Sequence, residues 1–218
     1  ANTFSIIGQV SLDAPLGGEK WAVGSNQAIK WTPTGTYTNV RIQASKDNFS
    51  TTMLDTTQAA GATGVQQTYS WTNLPDSISN AVKVRAFDPN NAASVTDEST
   101  VLSILGALDV TNPEAAQVWN VADATKQITW DATGTVTNVK IEYKTSAGGT
   151  YPTIVANDAG HTAGPNSYTW AAGVADENAE TCYVRVSDAN NYNDVYSVGV
   201  AAFSIRPKIT VSAPAVGA

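Results

Sequence analysis

Trp31-Thr32-Pro33-Thr34-Gly35-Thr36-Tyr37-Thr38-Asn39-Val40-Arg41-Ile42 returns as Trp130-Asp131-Ala132-Thr133-Gly134-Thr135-Val136-Thr137-Asn138-Val139-Lys140-Ile141, 99 residues later (130 minus 31). Tyr69-Ser70-Trp71 returns as Tyr168-Thr169-Trp170 at the same offset. Val84-Arg85-Ala86-Phe87-Asp88 returns as Val184-Arg185-Val186-Ser187-Asp188 at 100 (184 minus 84), and Trp21 as Trp119 at 98 (119 minus 21). Anchors in one order at nearly one offset mark an internal duplication. The ends extend it. Phe4-Ser5-Ile6, Leu102-Ser103-Ile104 and Phe203-Ser204-Ile205 each precede a proline by 11 (15 minus 4, 113 minus 102, 214 minus 203). The expected organisation is a terminal strand at 1–9 resembling the end of a preceding repeat, repeat one at 10–106, repeat two at 107–207, and at 208–218 the start of a following repeat or a tail. Two arrangements account for such ends: a piece of a longer tandem array, or a complete subunit whose terminal strand pairs with a neighbour.

Within each repeat, apolar and polar residues alternate with period two in runs rich in Val, Ile, Thr and aromatics, the signature of half-buried strands. The runs are 27–31, 39–44, 67–71, 82–87 and 99–105 in repeat one, and 126–130, 138–143, 167–170, 181–186 and 196–205 in repeat two. Pro, Gly, Asn and Asp place turns at 32–36, 89–92, 131–135 and 188–193. No segment keeps a helical period. About seven short strands in roughly 100 residues is the pattern of a β-sandwich of immunoglobulin or fibronectin-III type. The expected fold is therefore all-β: two tandem sandwiches. The junction from Leu102 through Gly106 to Pro113 lacks a polar linker, which predicts a stiff, elongated pair.

Alternation assigns faces. Ile29, Trp31, Val40, Ile42, Ala44, Val82, Val84 and Ala86 point inward in repeat one. Ile128, Trp130, Val139, Ile141, Tyr143, Cys182, Val184 and Val186 do so in repeat two. Trp71 and Trp170 join the core reading, whereas Trp21 and Trp119 fall in loop-like segments. The outward phase carries Arg41, Lys83 and Arg85 in one repeat and Lys140 and Arg185 in the other. That is either a basic stripe able to receive an acidic loop of a neighbouring copy or a solvated face with rim charges.

The order Pro, Trp, Ile-x-Trp, Val-x-Ile, Tyr-x-Trp, Val-Arg-Val, Phe-Ser-Ile resembles the Ig-like repeat of the Ser-Thr-rich GPI-anchored membrane family, related to cell-wall glucan-synthesis proteins and found in large bacterial surface proteins. The resemblance spans nearly the whole chain, and it rests mostly on core positions. It implies the fold and a cell-surface setting. The family's Ser/Thr-rich tail and anchor signal do not occur in this sequence, so membrane anchoring is not carried over.

Composition narrows function. The 218 residues carry 12 Lys and Arg against 19 Asp and Glu, a formal net charge of −7. Such a balance disfavours nucleic-acid binding, which draws on a basic surface. Apolar runs fall short of the roughly 20 residues of a membrane span. One Cys and one His exclude an internal disulfide and a Cys/His zinc site. His161 lies in a loop and reads as a solvated side chain, and Cys182 reads as an inert buried thiol. Neither a phosphate loop, a HExxH pattern nor a nucleophile elbow occurs. The acid pairs Asp97-Glu98 and Asp176-Glu177 read as solubilising surface rather than a glycosidase pair. No catalysis is expected.

Asp188-Ala189-Asn190-Asn191-Tyr192-Asn193-Asp194 and its counterpart Asp88-Pro89-Asn90-Asn91 are the candidate metal loops. Asp88, Asn90, Asn91, Asp188, Asn190, Asn191, Asn193 and Asp194 supply the oxygens that calcium takes six to eight at a time. The competing reading is a hairpin turn that Asn and Asp favour for its backbone. Asn48-Phe49-Ser50 is the one N-glycosylation sequon. The function expected is a non-catalytic structural module of an extracellular or cell-surface tandem-repeat protein (an S-layer-type array, filament, stalk or adhesin). It would act by self-association or as a stiff spacer, with calcium as the one candidate cofactor. The alternative is a carbohydrate-binding module of a cell-wall protein, whose sugar-stacking aromatics would be Trp21, Tyr37, Trp119, Tyr151 and Tyr192.

Overall fold

A computed structural model describes residues 6–199 and 202–209. All regular structure among them is strand, and the chain divides between Gly106 and Ala107 into two compact units. The terminal strand expected at 1–9 falls partly outside the described residues, with Ile6–Gly8 irregular; the segment expected at 208–218 lies outside them beyond Ile209.

The first unit contains β1 (Gln9–Ala14), β2 (Lys20–Ala22), β3 (Gln27–Thr34), β4 (Asn39–Ser45), β5 (Leu54–Ala59), β6 (Gln67–Trp71), β7 (Ser79–Phe87), β8 (Thr96–Glu98) and β9 (Leu102–Leu105). A small sheet runs β1-β3-β6. The larger one runs β2-β9-β7-β4-β5, with β8 also on β7. Among its described strands only β2 and β9 pair in parallel. The chain changes sheets at the cis Ala14-Pro15 bond. Glu19 fixes that crossing by accepting the Leu16 and Gly17 N–H groups, each at 2.8 Å. Gly17 is required there: its φ is +116°, and a Cβ would meet the Thr100 hydroxyl at 1.8 Å.

The second unit repeats the plan with β10 (Ala107–Asn112), β11 (Val118–Asn120), β12 (Gln127–Thr133), β13 (Asn138–Lys144), β14 (Thr153–Ala159), β15 (Gly164–Thr169), β16 (Ala179–Asp188), β17 (Tyr196–Val198) and β18 (Phe203–Arg206). Its sheets run β10-β12-β15 and β11-β18-β16-β13-β14, with β17 on β16, and its crossing is the cis Asn112-Pro113 bond. A small sheet of strands one, three and six facing a larger one is the immunoglobulin/fibronectin-III-like sandwich.

Each core lies between the two sheets. In the first unit Ile29, Trp31, Val40, Ile42, Val82 and Val84 are all but fully buried, as are Ile128, Trp130, Val139, Ile141, Cys182 and Val184 in the second. Burying one such side chain contributes about 1.5–3 kcal/mol. Trp21 and Trp119 depart from the loop-like reading. They sit on the short strands β2 and β11, are buried at 6% and 2% exposure, and stand edge-on to Trp71 and Trp170 at 6.2 and 6.4 Å.

Two expected turns begin later than the prolines and glycines suggested. β3 continues through Pro33 to Thr34, and β12 through Ala132 to Thr133. Pro33 is tolerated because β6 pairs with β3 only as far as Trp31. Beyond that point the Pro33 carbonyl accepts the Gly64 N–H at 2.7 Å, and the missing N–H on the same edge deprives no strand of a partner. The strand expected at 196–205 is two strands, β17 and β18, on different stretches of β16.

One bond type locks the sheets in both units. The ladder between β1 and β3 shifts register after Leu12, and the Leu12 N–H donates to Asp97 Oδ2 at 2.8 Å. The equivalent shift follows Val110, whose N–H donates to Ser197 Oγ at 3.1 Å. Asp97 is thus a sheet-to-sheet tie rather than solubilising surface.

Candidate functional site

The outer face of each larger sheet gathers the polar chemistry. In the first unit β4, β5, β7 and β8 bring together Arg41, Gln43, Asp55, Arg85 and Glu98. Arg41 grips Asp55 with Nε and Nη2, both at 2.6 Å, and holds that carboxyl below the usual carboxylate range. Gln43 donates to Asp55 at 2.9 Å and accepts from Arg85 Nε and Nη2 at 2.9 and 2.6 Å. Glu98 stands 3.9 Å from Arg85. Phe49 and Phe87 lie 4.2 and 5.0 Å from the Arg85 guanidinium. Lys83 donates to the Asn48 side chain at 3.2 Å, which places the sequon asparagine on an exposed loop with its amide engaged.

In the second unit Glu142 replaces Gln43 and is only 1% exposed. It accepts Arg185 Nε and Nη2 at 2.8 and 2.6 Å and Lys140 Nζ at 2.6 Å. A buried carboxylate persists when it is paired and hydrogen-bonded in this way. Around it stand tyrosines. Tyr151 and Tyr192 lie 4.4 and 4.6 Å from the Arg185 guanidinium, with Tyr196 at 5.9 Å. Lys140 lies over Tyr192 at 4.5 Å, and Lys144 over Tyr151 and Tyr183 at 4.8 and 5.2 Å. Each such cation–ring contact contributes about 0.5–1 kcal/mol at an exposed site. Sequence phase located Lys140 and Arg185 on this face. It missed the burial of Glu142, because an acidic residue in the outward phase carries no sign of what covers it. Lys144, Tyr183 and Tyr196 were missed as well, though spacing along β13 and β16 would have placed the first two.

The Asp/Asn loops have the same geometry in both units. Asp88 and Asp188 are 3% exposed. One carboxylate oxygen accepts the Asn90 or Asn190 N–H at 2.9 or 2.8 Å, and the other accepts Asn91 or Asn191 Nδ2 at 2.8 Å in each loop. Asn91 and Asn191 each cap a further turn, accepting the backbone N–H of Val95 or Val195 at 2.9 Å. Asn193 and Asp194 are exposed beside Val195. In this arrangement Asn90, Asn91, Asn190 and Asn191 present donors to the aspartates rather than oxygens to a cation. Among the described residues no three His, Cys, Asp or Glu side chains gather as metal ligands.

His161 is not the solvated side chain expected. Its side chain is 10% exposed, with Nε2 2.8 Å from Asp158 and its ring edge-on to Trp130 at 4.8 Å. A shallow pocket of about 580 Å³ opens beside it, lined by Thr111, Thr129, Trp130, Pro165, Asn166 and Ser167. Cys182 is fully buried and donates to the Ala179 carbonyl at 3.7 Å. Burial pushes its thiol up, which withholds the reactive thiolate. Of the candidate sugar-stacking aromatics, Trp21 and Trp119 are core. Tyr37 is half-buried with its hydroxyl on the Gln9 carbonyl at 2.9 Å, and Tyr151 and Tyr192 are half-buried against Arg185. No coplanar exposed platform forms from these five.

No family model matches the sequence, and no curated protein matches it either. Solved structures of Ig and fibronectin-III type align along most of it. The fibronectin(III)-like modules of Clostridium thermocellum CbhA align over 91% of this chain and 95% of theirs at 16% identity, with a TM-score of 0.28. A titin segment, A168169, aligns over 90% and 98% at 13% identity, TM-score 0.42. The IG1+IG2 pair of DIP-gamma aligns over 91% and 98% at 9% identity, TM-score 0.35.

Proposed function

We propose that this chain is a non-catalytic structural module of an extracellular or cell-surface tandem-repeat protein, an array, filament, stalk or adhesin, that works through contacts between copies. The observation that carries this reading is the duplicated sandwich itself. Its reactive side chains are spent internally: Cys182 in the core, His161 on Trp130 and Asp158, Asp88 and Asp188 inside their own turns. What reaches solvent in quantity is sheet face and loop. The resemblance to wall-associated Ig-like repeats and the low content of Lys and Arg support a surface setting. Glycan binding is the weaker reading, because Trp21 and Trp119 serve the cores.

Size-exclusion chromatography with light scattering, run in calcium and in EDTA, tests this. Mass that grows with protein concentration supports contact between copies. A monomer in both buffers at every concentration removes self-association and moves glycan screening forward. Calcium enters the proposal through the Asp88 and Asp188 loops, where a cation would have to displace the asparagine donors. A melting temperature unmoved by calcium removes it.

A further inference from the structure

The charge of the second unit is segregated. Residues 107–218 hold six Lys and Arg against eleven Asp and Glu, a net charge of −5 (6 minus 11). Three of those six cations, Lys140, Lys144 and Arg185, stand together on β13 and β16. There the Glu142 carboxylate offsets one charge, leaving +2 (3 minus 1) on this face and −7 on the rest of the unit (−5 minus 2). Lys144 gives its ammonium to the Ala147 carbonyl at 2.7 Å, not to a carboxylate. Tyr196, 52% exposed, stands at the edge of the same face. Arginine and tyrosine held rigidly together are the side chains that dominate binding energy where proteins meet.

The complement is present in the same chain. Asp176, Glu177 and Glu180 place three carboxylates in five residues where the chain enters β16, with Asp176 and Glu180 exposed. The partner of Glu180 is Arg206 at 2.8 Å, a pair 69% and 51% exposed that contributes little and is readily exchanged.

Resting on the self-association reading above, we infer that the tyrosine–cation face of the second unit docks the Asp176–Glu180 segment of a second copy of this chain. Opposite charge on the two surfaces steers the encounter and fixes its register. The two surfaces differ, so the contact is heterologous: each copy uses its face on one neighbour and its acidic segment on another. Such contacts build rings or open filaments rather than closed two-fold dimers. The first unit lacks this surface, because its Arg41 is taken by Asp55, and Ala92 and Thr96 stand where the second unit has Tyr192 and Tyr196.

The test is sedimentation velocity on the full chain at low salt, with two charge-reversed variants. Lys144→Glu/Tyr196→Glu reverses the face and leaves Lys140 and Arg185, the partners of Glu142, in place. Asp176→Lys/Glu180→Lys reverses the segment. Wild type is expected to assemble with concentration and to weaken about tenfold in 0.5 M NaCl. Each variant alone is expected to stay monomeric where wild type assembles, with its circular-dichroism melt unchanged. An equimolar mixture of the two is expected to assemble again, since each then meets the opposite charge at both contacts. A face variant that assembles like wild type overturns the inference. So does a mixture that stays monomeric although both variants melt normally, an outcome that points the face toward a different partner. A wild type that is monomeric throughout fails the self-association reading itself, and the inference with it.

Discussion

The Trp31 indole N–H donates to the Ala60 carbonyl at 3.1 Å. The Trp130 N–H, just as buried, has no hydrogen-bond partner among the described residues. The links beside them, from β5 to β6 and from β14 to β15, each cross from one sheet to the other and close differently. Ala60 alone turns its N–H to the Thr38 carbonyl, whereas Gly160 and His161 both turn to Thr137, and the His161 ring fills the space against the indole. A similar divergence separates Gln43 from Glu142: a neutral amide relays between Arg41's partner and Arg85, whereas a buried carboxylate gathers Lys140 and Arg185. Duplication kept the apolar lattice. The polar positions were free to change wherever a local partner compensated, and the second unit converted its sheet face into a cationic, tyrosine-rich surface.

Substitutions at matched positions break or sharpen this comparison. The largest effect is expected at Glu142→Ala, which strands Lys140 and Arg185 beside a buried gap and costs about 3 kcal/mol; Gln43→Ala costs about 1 kcal/mol. Equal losses in urea unfolding would erase the distinction between a buried charge centre and a surface relay. Next, Trp31→Phe is expected to cost about 1–2 kcal/mol more than Trp130→Phe, because only the first gives up a made hydrogen bond and leaves a carbonyl unpaired. Melting the two single variants side by side reads this directly, and a larger loss at Trp130 would mean its N–H is satisfied. At the sheet ties, Asp97→Ala removes a charged acceptor and Ser197→Ala a neutral one, with expected costs of about 2 and 1 kcal/mol.

The smallest effect is a pH dependence confined to one loop. Asp47 is held at about 2, first by the Thr51 hydroxyl, then by the Thr51 N–H and the Ser45 hydroxyl. Its folded value lies below the unfolded one of 3.8. The stabilisation is therefore full above about pH 4 and lost as pH falls through about 2. Amide exchange at Thr51 should rise across that window. The loop at 145–152 contains no carboxylate and should stay unchanged, so loosening of both loops together would point to global acid unfolding instead.

The sequence announced what depended on period and repetition. β3, β4, β7, β12, β13 and β16 carry strong alternation, and their inward residues make up most of the cores. β5 escaped notice because Leu54-Asp55-Thr56-Thr57-Gln58-Ala59 is an edge strand, half-exposed throughout and mostly polar. β2 and β11 escaped because three residues cannot display a period, which is why Trp21 and Trp119 read as loop. Pro33 looked like a turn because its lost donor is costly only where a neighbour strand needs it. The tyrosine–cation face was half legible: strand phase gave Lys140 and Arg185, but Tyr151 and Tyr192 arrive from loops whose paths no periodicity encodes.

The division between a closed face on the first unit and a contact face on the second is the central claim. Hydrogen exchange on the intact chain, dilute against concentrated, tests it most directly. Concentration-dependent protection is predicted along β13, β16 and β17 and over residues 176–180, with β4 and β7 unchanged. Protection centred on β4 and β7, or none anywhere while the chain assembles, would contradict it.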